Sequence, residues 1–150
     1  MTTCNNRDVP TAALRPFHLA IPVADLAAAE SFYCGLLGCS KGRTASRWID
    51  LNFFGHQLTL HLSDGPDSGV DTNLVDGDQV PIRHFGIVLD MRDWRLLADK
   101  LESAHRDFLI SPRTRFEGEI GEQATLFILD PSGNALEFKS FANPAQLFAT

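Results

Sequence analysis

The sequence predicts an α+β domain built from two similar halves. Each half begins with a histidine, His18 or His84, 66 residues apart, that opens an apolar run of strand character. In each half an aspartate that can cap a helix follows, and then a helical pattern. Further strand-like runs between turn residues complete each half. With 150 residues, 44% of them hydrophobic, the chain has enough apolar surface for one core, so we expect a single domain over 1–150.

The elements follow one another in the same order in both halves. The first half reads as a strand at 17–23, a helix after Asp25, and strands at 48–54 and 57–62. The second half reads as a strand at 83–89, a helix after Asp93, and strands at 124–129 and 135–139. We therefore expect module 1 at about 15–62, module 2 at about 81–141, and a linker rich in Asp and Gly at 63–80.

Charge and composition exclude several classes of partner. The 13 Lys and Arg residues face 19 Asp and Glu residues, a formal charge of −6 without a basic stripe, so nucleic acid is not expected as a partner. No apolar run reaches the roughly 18 residues of a membrane span. Cys4, Cys34 and Cys39 form neither an even set nor a metal-ligand spacing. These features favour a cytoplasmic protein without a targeting segment.

Alternation along the strands gives His18 and His84 the same kind of environment. Each shares a strand face with small residues, whereas bulky apolar residues occupy the opposite face. The small neighbours are Ala20, Pro22, Gly86 and Val88. Glu137, on the last strand, also lies opposite bulky residues. Two imidazoles and one carboxylate are therefore expected above one concave sheet face.

This ligand set suits a divalent first-row metal and leaves coordination positions open, which indicates catalysis rather than a structural site. His61 lies where we expect the counterpart of Glu137 in the first half, so it is either a fourth ligand or a histidine packed at a strand end. His56, beside a turn glycine, is either an acid or base or an ordinary hairpin histidine. A single histidine at such a position is more often structural. The metal interpretation is favoured because the repeat places His18 and His84 at equivalent positions of the two halves.

A charged stretch at 113–123 is predicted to form the longest loop of the second half. Loops at such positions often close over a substrate, although a solvated charged loop is equally compatible with the sequence. Within it, Arg115 is the candidate to hold an anionic substrate through two parallel hydrogen bonds.

Several motifs resemble the vicinal oxygen chelate superfamily, which includes glyoxalase I, fosfomycin-resistance transferases, bleomycin-resistance proteins and extradiol dioxygenases. The runs that carry the resemblance are 17–26, 31–38, 84–87 and 130–137, the last beginning with Asp130-Pro131-Ser132-Gly133-Asn134. The resemblance implies paired βαβββ modules whose curled sheets surround a metal held by His18, His84 and Glu137. It also implies a small-molecule substrate with neighbouring oxygen atoms.

In finer detail the runs 118–125 and 53–57 resemble small bacterial proteins described as predicted dioxygenases of the extradiol group. That similarity implies Fe²⁺, with Mn²⁺, Zn²⁺ or Ni²⁺ as alternatives, and gives His56 the place of the acid/base histidine. Extradiol enzymes carry a tyrosine ten positions before the carboxylate ligand, where this chain has Phe127. The alternatives are a glyoxalase-like lyase or isomerase, a thiol transferase, and a non-enzymatic resistance protein that binds a small molecule.

A homodimer is also expected, because such paired modules often dimerise and an open sheet offers exposed edges. Module swapping preserves the spacing of the ligands. The sequence therefore leaves open whether His18 and His84 meet within one chain or across two.

Overall fold

The computed structural model describes residues 14–65 and 71–150, so Cys4 and residues 66–70 of the predicted linker lie outside it. The predicted α+β fold with two βαβββ modules is confirmed. Module 1 comprises β1 (His18–Val23), α1 (Leu26–Glu30) with a π-helical turn (Ser31–Leu36), β2 (Ser40–Ala45), β3 (Trp48–Phe53) and β4 (His56–Leu62). The hairpin β5 (Thr72–Val75) and β6 (Asp78–Pro81) follows. Module 2 comprises β7 (Phe85–Val88), α2 (Met91–Ser103), β8 (Ile110–Arg115), β9 (Gln123–Leu129), β10 (Ala135–Phe141) and a 3₁₀ helix (Pro144–Phe148).

The two modules repeat one sheet topology. Module 1 has the strand order β1-β4-β3-β2 and module 2 the order β7-β10-β9-β8. The first strand of each module pairs in parallel with the last, and the remaining pairs are antiparallel. Each four-stranded sheet is open, with β1 or β7 at one edge. No helix among the described residues is long and apolar enough to cross a bilayer.

Both helices begin at aspartate caps. Asp25 accepts a hydrogen bond from the backbone N–H of Ala28 at 3.0 Å, as the sequence predicts. The second helix begins earlier than predicted, because Asp90 accepts from the N–H of Asp93 at 2.8 Å and Asp93 lies in the first turn. A carboxylate in the first turn is favourable beside the positive end of the helix dipole.

One apolar core lies between the modules. It takes the bulky faces of both sheets, with Val23 and Leu60 from module 1 and Leu136 and Phe138 from module 2. The turn after β9 also joins the modules, because the hydroxyl of buried Tyr33 donates to Asp130 at 2.9 Å. Since the bulky faces share this core, the two polar faces, with His18 on one and Glu137 on the other, turn away from it.

The predicted linker contains structure of its own. The hairpin β5–β6 packs against module 2 through Val80, which forms a small apolar cluster with Ile110 and Phe127. Asp78 of the hairpin accepts from Arg115 at 2.9 Å and from Arg113 at 3.1 Å. Periodicity missed the hairpin because its strands have four residues each.

Candidate metal centre

On the polar face of module 2, His84 and Glu137 lie within contact distance. The Nε2 atom of His84 is 3.2 Å from Oε2 of Glu137. The Nδ1 atom of His84 is 2.6 Å from the carbonyl oxygen of Pro81, which can only accept, so Nδ1 carries a proton and donates it. In the neutral ring Nε2 therefore has a free lone pair, as a metal ligand requires.

Glu137 is a buried carboxylate with one oxygen engaged and one turned to His84. Only 8% of the residue is exposed, and the Thr125 hydroxyl donates to Oε1 at 2.7 Å. Burial alone would raise the pKa of Glu137, but hydrogen bonds from His84 and Thr125 and the charge of Lys139, 4.0 Å away, hold that pKa below its usual value. The hydrogen bond to Glu137 raises the pKa of His84 in return.

Gly86 explains how β7 approaches β10 so closely. Gly86 pairs with Glu137, and a Cβ atom built on Gly86 would overlap the Glu137 carbonyl oxygen. Any side chain at this position would push the strand that follows His84 away from the strand that carries Glu137. Glycine is thus required at position 86 by the close approach of the two backbones. The alternation of small residues in the sequence indicated only that this strand face has little side-chain bulk.

The polar face of module 1 does not repeat this arrangement. His18 pairs with Gln57, and counting along the two parallel pairs makes Thr59 the counterpart of Glu137. The expectation that His61 is the counterpart of Glu137 was wrong. His61 is the counterpart of Lys139, which lies two residues after Glu137 on the same strand face. The error arose because the apolar runs of the two last strands differ in length, so sequence alone misjudged the register.

His18 and His61 are both exposed on this face of module 1, on neighbouring strands. The structure brings His84 and Glu137 together and leaves His18 and His61 in the other module. Across residues 14–65 and 71–150, no three His, Cys, Asp or Glu side chains lie close enough to hold a metal ion. A single chain thus displays a pair of candidate ligands on one face and separate histidines on another.

His56 begins β4, and its ring Nδ1 accepts from the backbone N–H of Phe17 at 2.8 Å. Its register partner is Phe53, a core residue, so alternation directs His56 away from the face of Thr59. Because it lies at the strand end, it still borders two cavities. One, of about 330 Å³, is an apolar space between β1 and β7, and the other, of about 360 Å³, lies on the polar side near Gln57.

Arg115 lies at the end of β8, so its predicted position in a loop was wrong. It is 3% exposed and its guanidinium is bound by Asp78 of the hairpin. It also lies over the Phe127 ring, 5.7 Å from Cζ to the ring centre, while the ring of His84 contacts Phe127 edge-on at 5.1 Å. Arg115 therefore fixes the hairpin that ends at Pro81, the carbonyl partner of His84.

Sequence reasoning missed Asp50, a carboxylate 7% exposed on the polar face of module 1. The Thr59 hydroxyl donates to it at 2.6 Å, and Arg43 and Gln57 donate to its other oxygen at 3.0 and 3.4 Å. The hydrogen bond from Thr59 is the main cause of its lowered pKa, which burial partly opposes. The sequence signal for Asp50 was an acid between the apolar residues Ile49 and Leu51.

The family model of the Glyoxalase/Bleomycin resistance protein/Dioxygenase superfamily matches residues 15–138, a range that runs from before β1 into β10. The chain belongs to this superfamily. The predicted resemblance to the vicinal oxygen chelate superfamily is confirmed by this match. Members include glyoxalases, fosfomycin resistance proteins and dioxygenases, and proteins of the superfamily commonly use divalent metals.

Solved structures of this superfamily share the whole fold. A glyoxalase/bleomycin resistance protein/dioxygenase from Alicyclobacillus acidocaldarius is 38% identical with a TM-score of 0.77, covering 89% of this chain and 96% of that chain. A lactoylglutathione lyase from Agrobacterium tumefaciens is 18% identical with a TM-score of 0.64, covering 95% and 100%. A fosfomycin resistance protein from Listeria monocytogenes is 11% identical with a TM-score of 0.65, covering 89% and 98%. The last two show the fold alone, and a comparison with curated proteins finds no match.

Proposed function

We propose that this chain is a divalent-metal enzyme acting on a small substrate that chelates through neighbouring oxygens, with extradiol-type dioxygenation as its reaction. The observation that carries the proposal is the pair His84 and Glu137. Hydrogen bonds from Thr125 and to Pro81 engage one atom of each side chain and leave Nε2 and Oε2 facing each other at 3.2 Å. An imidazole and a carboxylate so oriented are the donors that Fe²⁺ binds, with Mn²⁺, Zn²⁺ or Ni²⁺ as alternatives.

His18 is the proposed third ligand, and we propose that a second copy of the chain supplies it. The polar faces of the two modules turn away from one shared core, and among the described residues no third His, Cys, Asp or Glu side chain joins the pair His84 and Glu137. A two-fold dimer can place module 1 of one copy against module 2 of the other. In that dimer His61 shares the face of His18 and stays a candidate fourth ligand.

Iron bound at this site supplies open coordination positions and redox chemistry with dioxygen. The chain's own residues hold and shape the site. Glu137 stays ionised because its pKa is lowered despite burial, and the hairpin anchored by Arg115 and Asp78 keeps the Pro81 carbonyl on His84. His56 is the proposed catalytic histidine: with Nδ1 accepting from the Phe17 N–H, the neutral ring keeps its proton on Nε2 and can donate a hydrogen bond from there to a substrate oxygen. Free Cys34 and Cys39 are in keeping with a reducing cytoplasm, which suits ferrous iron.

The test is metal content followed by oxygen uptake. Protein purified without oxygen should hold about one divalent metal per chain, which H84A loses and which H105A, a histidine after α2, retains. With Fe²⁺ present, a panel of catechols should then produce oxygen consumption in the wild type and in H105A but not in H84A. Equal metal content in wild type and H84A would contradict the metal site.

A second candidate is a glyoxalase-like reaction without oxygen, and Phe127 favours it. Extradiol enzymes carry a tyrosine at this position, whereas the Phe127 ring beside His84 offers no hydroxyl. Tyr33, the one tyrosine of the chain, is buried and donates to Asp130. Metal binding without oxygen uptake from any diol would select this candidate.

A further inference from the structure

The edge strand β2 contains a bulge opposite Asp50. The pairing of β2 with β3 shifts register between Lys41 and Thr44, so Gly42 and Arg43 together oppose the single residue Asp50. Bulges re-aim a side chain and are common beside functional sites. Here the bulge brings Arg43 onto the polar face of module 1, where its guanidinium meets Asp50.

The Arg43 guanidinium is held in one direction although most of it is exposed. Its Nε and Nη2 atoms donate to one oxygen of Asp50 at 3.2 and 3.0 Å, and its Cζ lies 5.8 Å from the Trp48 ring centre. Nevertheless 79% of the side chain is exposed. A guanidinium carries five N–H donors, so the edge turned away from Asp50 keeps donors for a ligand.

Asp50 is suited to anchoring Arg43 rather than to cancelling its charge. The Thr59 hydroxyl occupies the other carboxylate oxygen at 2.6 Å, and Gln57 shares the oxygen that binds Arg43 at 3.4 Å. Uncharged donors thus stabilise part of the carboxylate charge. A cavity of about 360 Å³ lies over this cluster, with Arg43, Asp50, Asn52 and Gln57 in its lining.

The cluster lies on the same face as His18, at a defined separation. His18 on β1 pairs with Gln57 on β4, and Asp50 on β3 pairs with Thr59, two residues after Gln57. Asp50 is therefore two strands away from His18 and two residues further along the sheet. Two strand spacings of about 4.8 Å place Arg43's anchoring carboxylate roughly 10 Å from the strand that carries His18. A small molecule can span this distance.

We infer that Arg43 binds a carboxylate group at the far end of the substrate, whose chelating oxygens bind near His18. This inference rests on the proposed function for the position of the chelating end, while the carboxylate site is formed by module 1 alone. It replaces Arg115 in the role of anion-binding residue, because Arg115 is buried against Asp78 whereas Arg43 is exposed and already oriented. The substrate class is a small acid with neighbouring oxygens at its other end.

The alternative role of Arg43 is to neutralise Asp50 and nothing more. Substitution by lysine separates the two roles, since Arg43→Lys keeps the charge beside Asp50 but lacks the planar pair of donors that a carboxylate accepts. A purely structural arginine would leave carboxylate binding unaffected in this variant.

The experiment titrates benzoate, with benzamide as its neutral counterpart, into the metal-free full chain. The indole N–H signals of the two tryptophans report binding by NMR. Trp48, under Arg43, should shift in a saturable way with benzoate and not with benzamide, and higher salt should weaken the effect. Trp94 is the internal reference, because its buried indole N–H donates to Phe138 at 2.8 Å.

Two variants and a matched control complete the test. We expect Arg43→Lys to weaken benzoate binding about tenfold and Arg43→Gln to abolish it. Arg47→Gln removes the same charge from an arginine that binds Asp64 and the Leu62 carbonyl, and it should bind benzoate as the wild type does. Equal binding in all four proteins, equal shifts with benzamide, or no saturable shift in the wild type would overturn the inference.

Metal content, measured on the same samples after reconstitution, keeps the two proposals apart. Arg43→Lys should retain the wild-type metal content while its benzoate binding is weakened. A wild type that binds benzoate but no metal would leave the carboxylate site standing and remove the proposed function. A wild type that binds metal but not benzoate would do the reverse.

Discussion

The polar faces of the two modules use the same parts in a different order. Each has a buried carboxylate held by a threonine from a neighbouring strand. In module 2 the acid, Glu137, lies on the strand next to β7 and reaches His84. In module 1 the acid, Asp50, lies one strand further from β1 and meets Arg43 instead. Moving a carboxylate by one strand thus changes its partner from a potential co-ligand to a cation on a bulge.

The comparison implies a division of labour within one duplicated fold. Module 2 provides two donors with fixed directions, and module 1 provides an exposed histidine and an oriented guanidinium. Neither face holds three candidate metal ligands among the residues that the structure describes. Both faces are therefore needed for the site that we propose.

The largest effect that distinguishes the modules is expected at Gly86. In Gly86→Ala the new methyl group meets the Glu137 carbonyl oxygen, so β7 must shift away from β10. We expect a loss of about 2 kcal/mol or more in unfolding free energy, together with weakened metal binding. Chemical denaturation and metal titration check both effects.

Gly35→Ala is the matched control, since its new methyl group would lie 3.9 Å from the nearest atom, the Ser31 hydroxyl oxygen. It should leave stability unchanged or slightly raised. Equal unfolding free energies for the two variants would contradict the claim that position 86 requires glycine.

The two threonines give the next contrast. Thr125→Val removes the hydroxyl that holds Oε1 of Glu137, and we expect metal affinity to fall about tenfold or more, as it does when outer partners of ligands are lost. Thr59→Val removes the corresponding hydroxyl from Asp50 and should leave metal affinity within about twofold of wild type. Competition with a chelator measures both, and equal losses would remove the distinction between the faces.

Much of this comparison was accessible from the sequence, but the register was not. The repeat of His18 and His84, the small residues beside them and the position of Glu137 follow from alternation and periodicity. The counterpart of Glu137 depends on which residues pair between parallel strands, and that depends on packing against a common core. The same limit hid the bulge at Arg43, because a single extra residue in an edge strand leaves no periodic signal.

Arg115 shows a second limit. Charge density at 113–123 predicted a loop that either closes over a substrate or is solvated. The partner that buries Arg115 comes from the hairpin, whose strands are too short to leave a pattern. A buried arginine is recognisable only when its acidic partner is known. The ligand pair is clearer because Glu137 lies within the seven-residue strand β10 and His84 directly precedes β7.

The smallest expected effect is a pH dependence at Asp50. Its pKa is lowered in the folded chain, chiefly by the hydrogen bond from Thr59, so the carboxylate stabilises the fold above the usual Asp pKa. This contribution is lost as pH falls through the lowered folded-state pKa. The melting temperature of Asp50→Asn should therefore lie a few degrees below wild type from pH 7 to pH 5, and the gap should shrink below about pH 4. A gap that widened in acid would have the wrong sign.

The shared site is tested most directly by mixing two inactive variants. His18→Ala and His84→Ala should each bind no metal as pure proteins. After dissociation and reassociation, about half of the dimers contain one copy of each variant, and each of these has one intact site, so about one quarter of the wild-type metal content should return. Recovery of that fraction is the result that a site between two chains predicts, and no recovery from mixed dimers would contradict it.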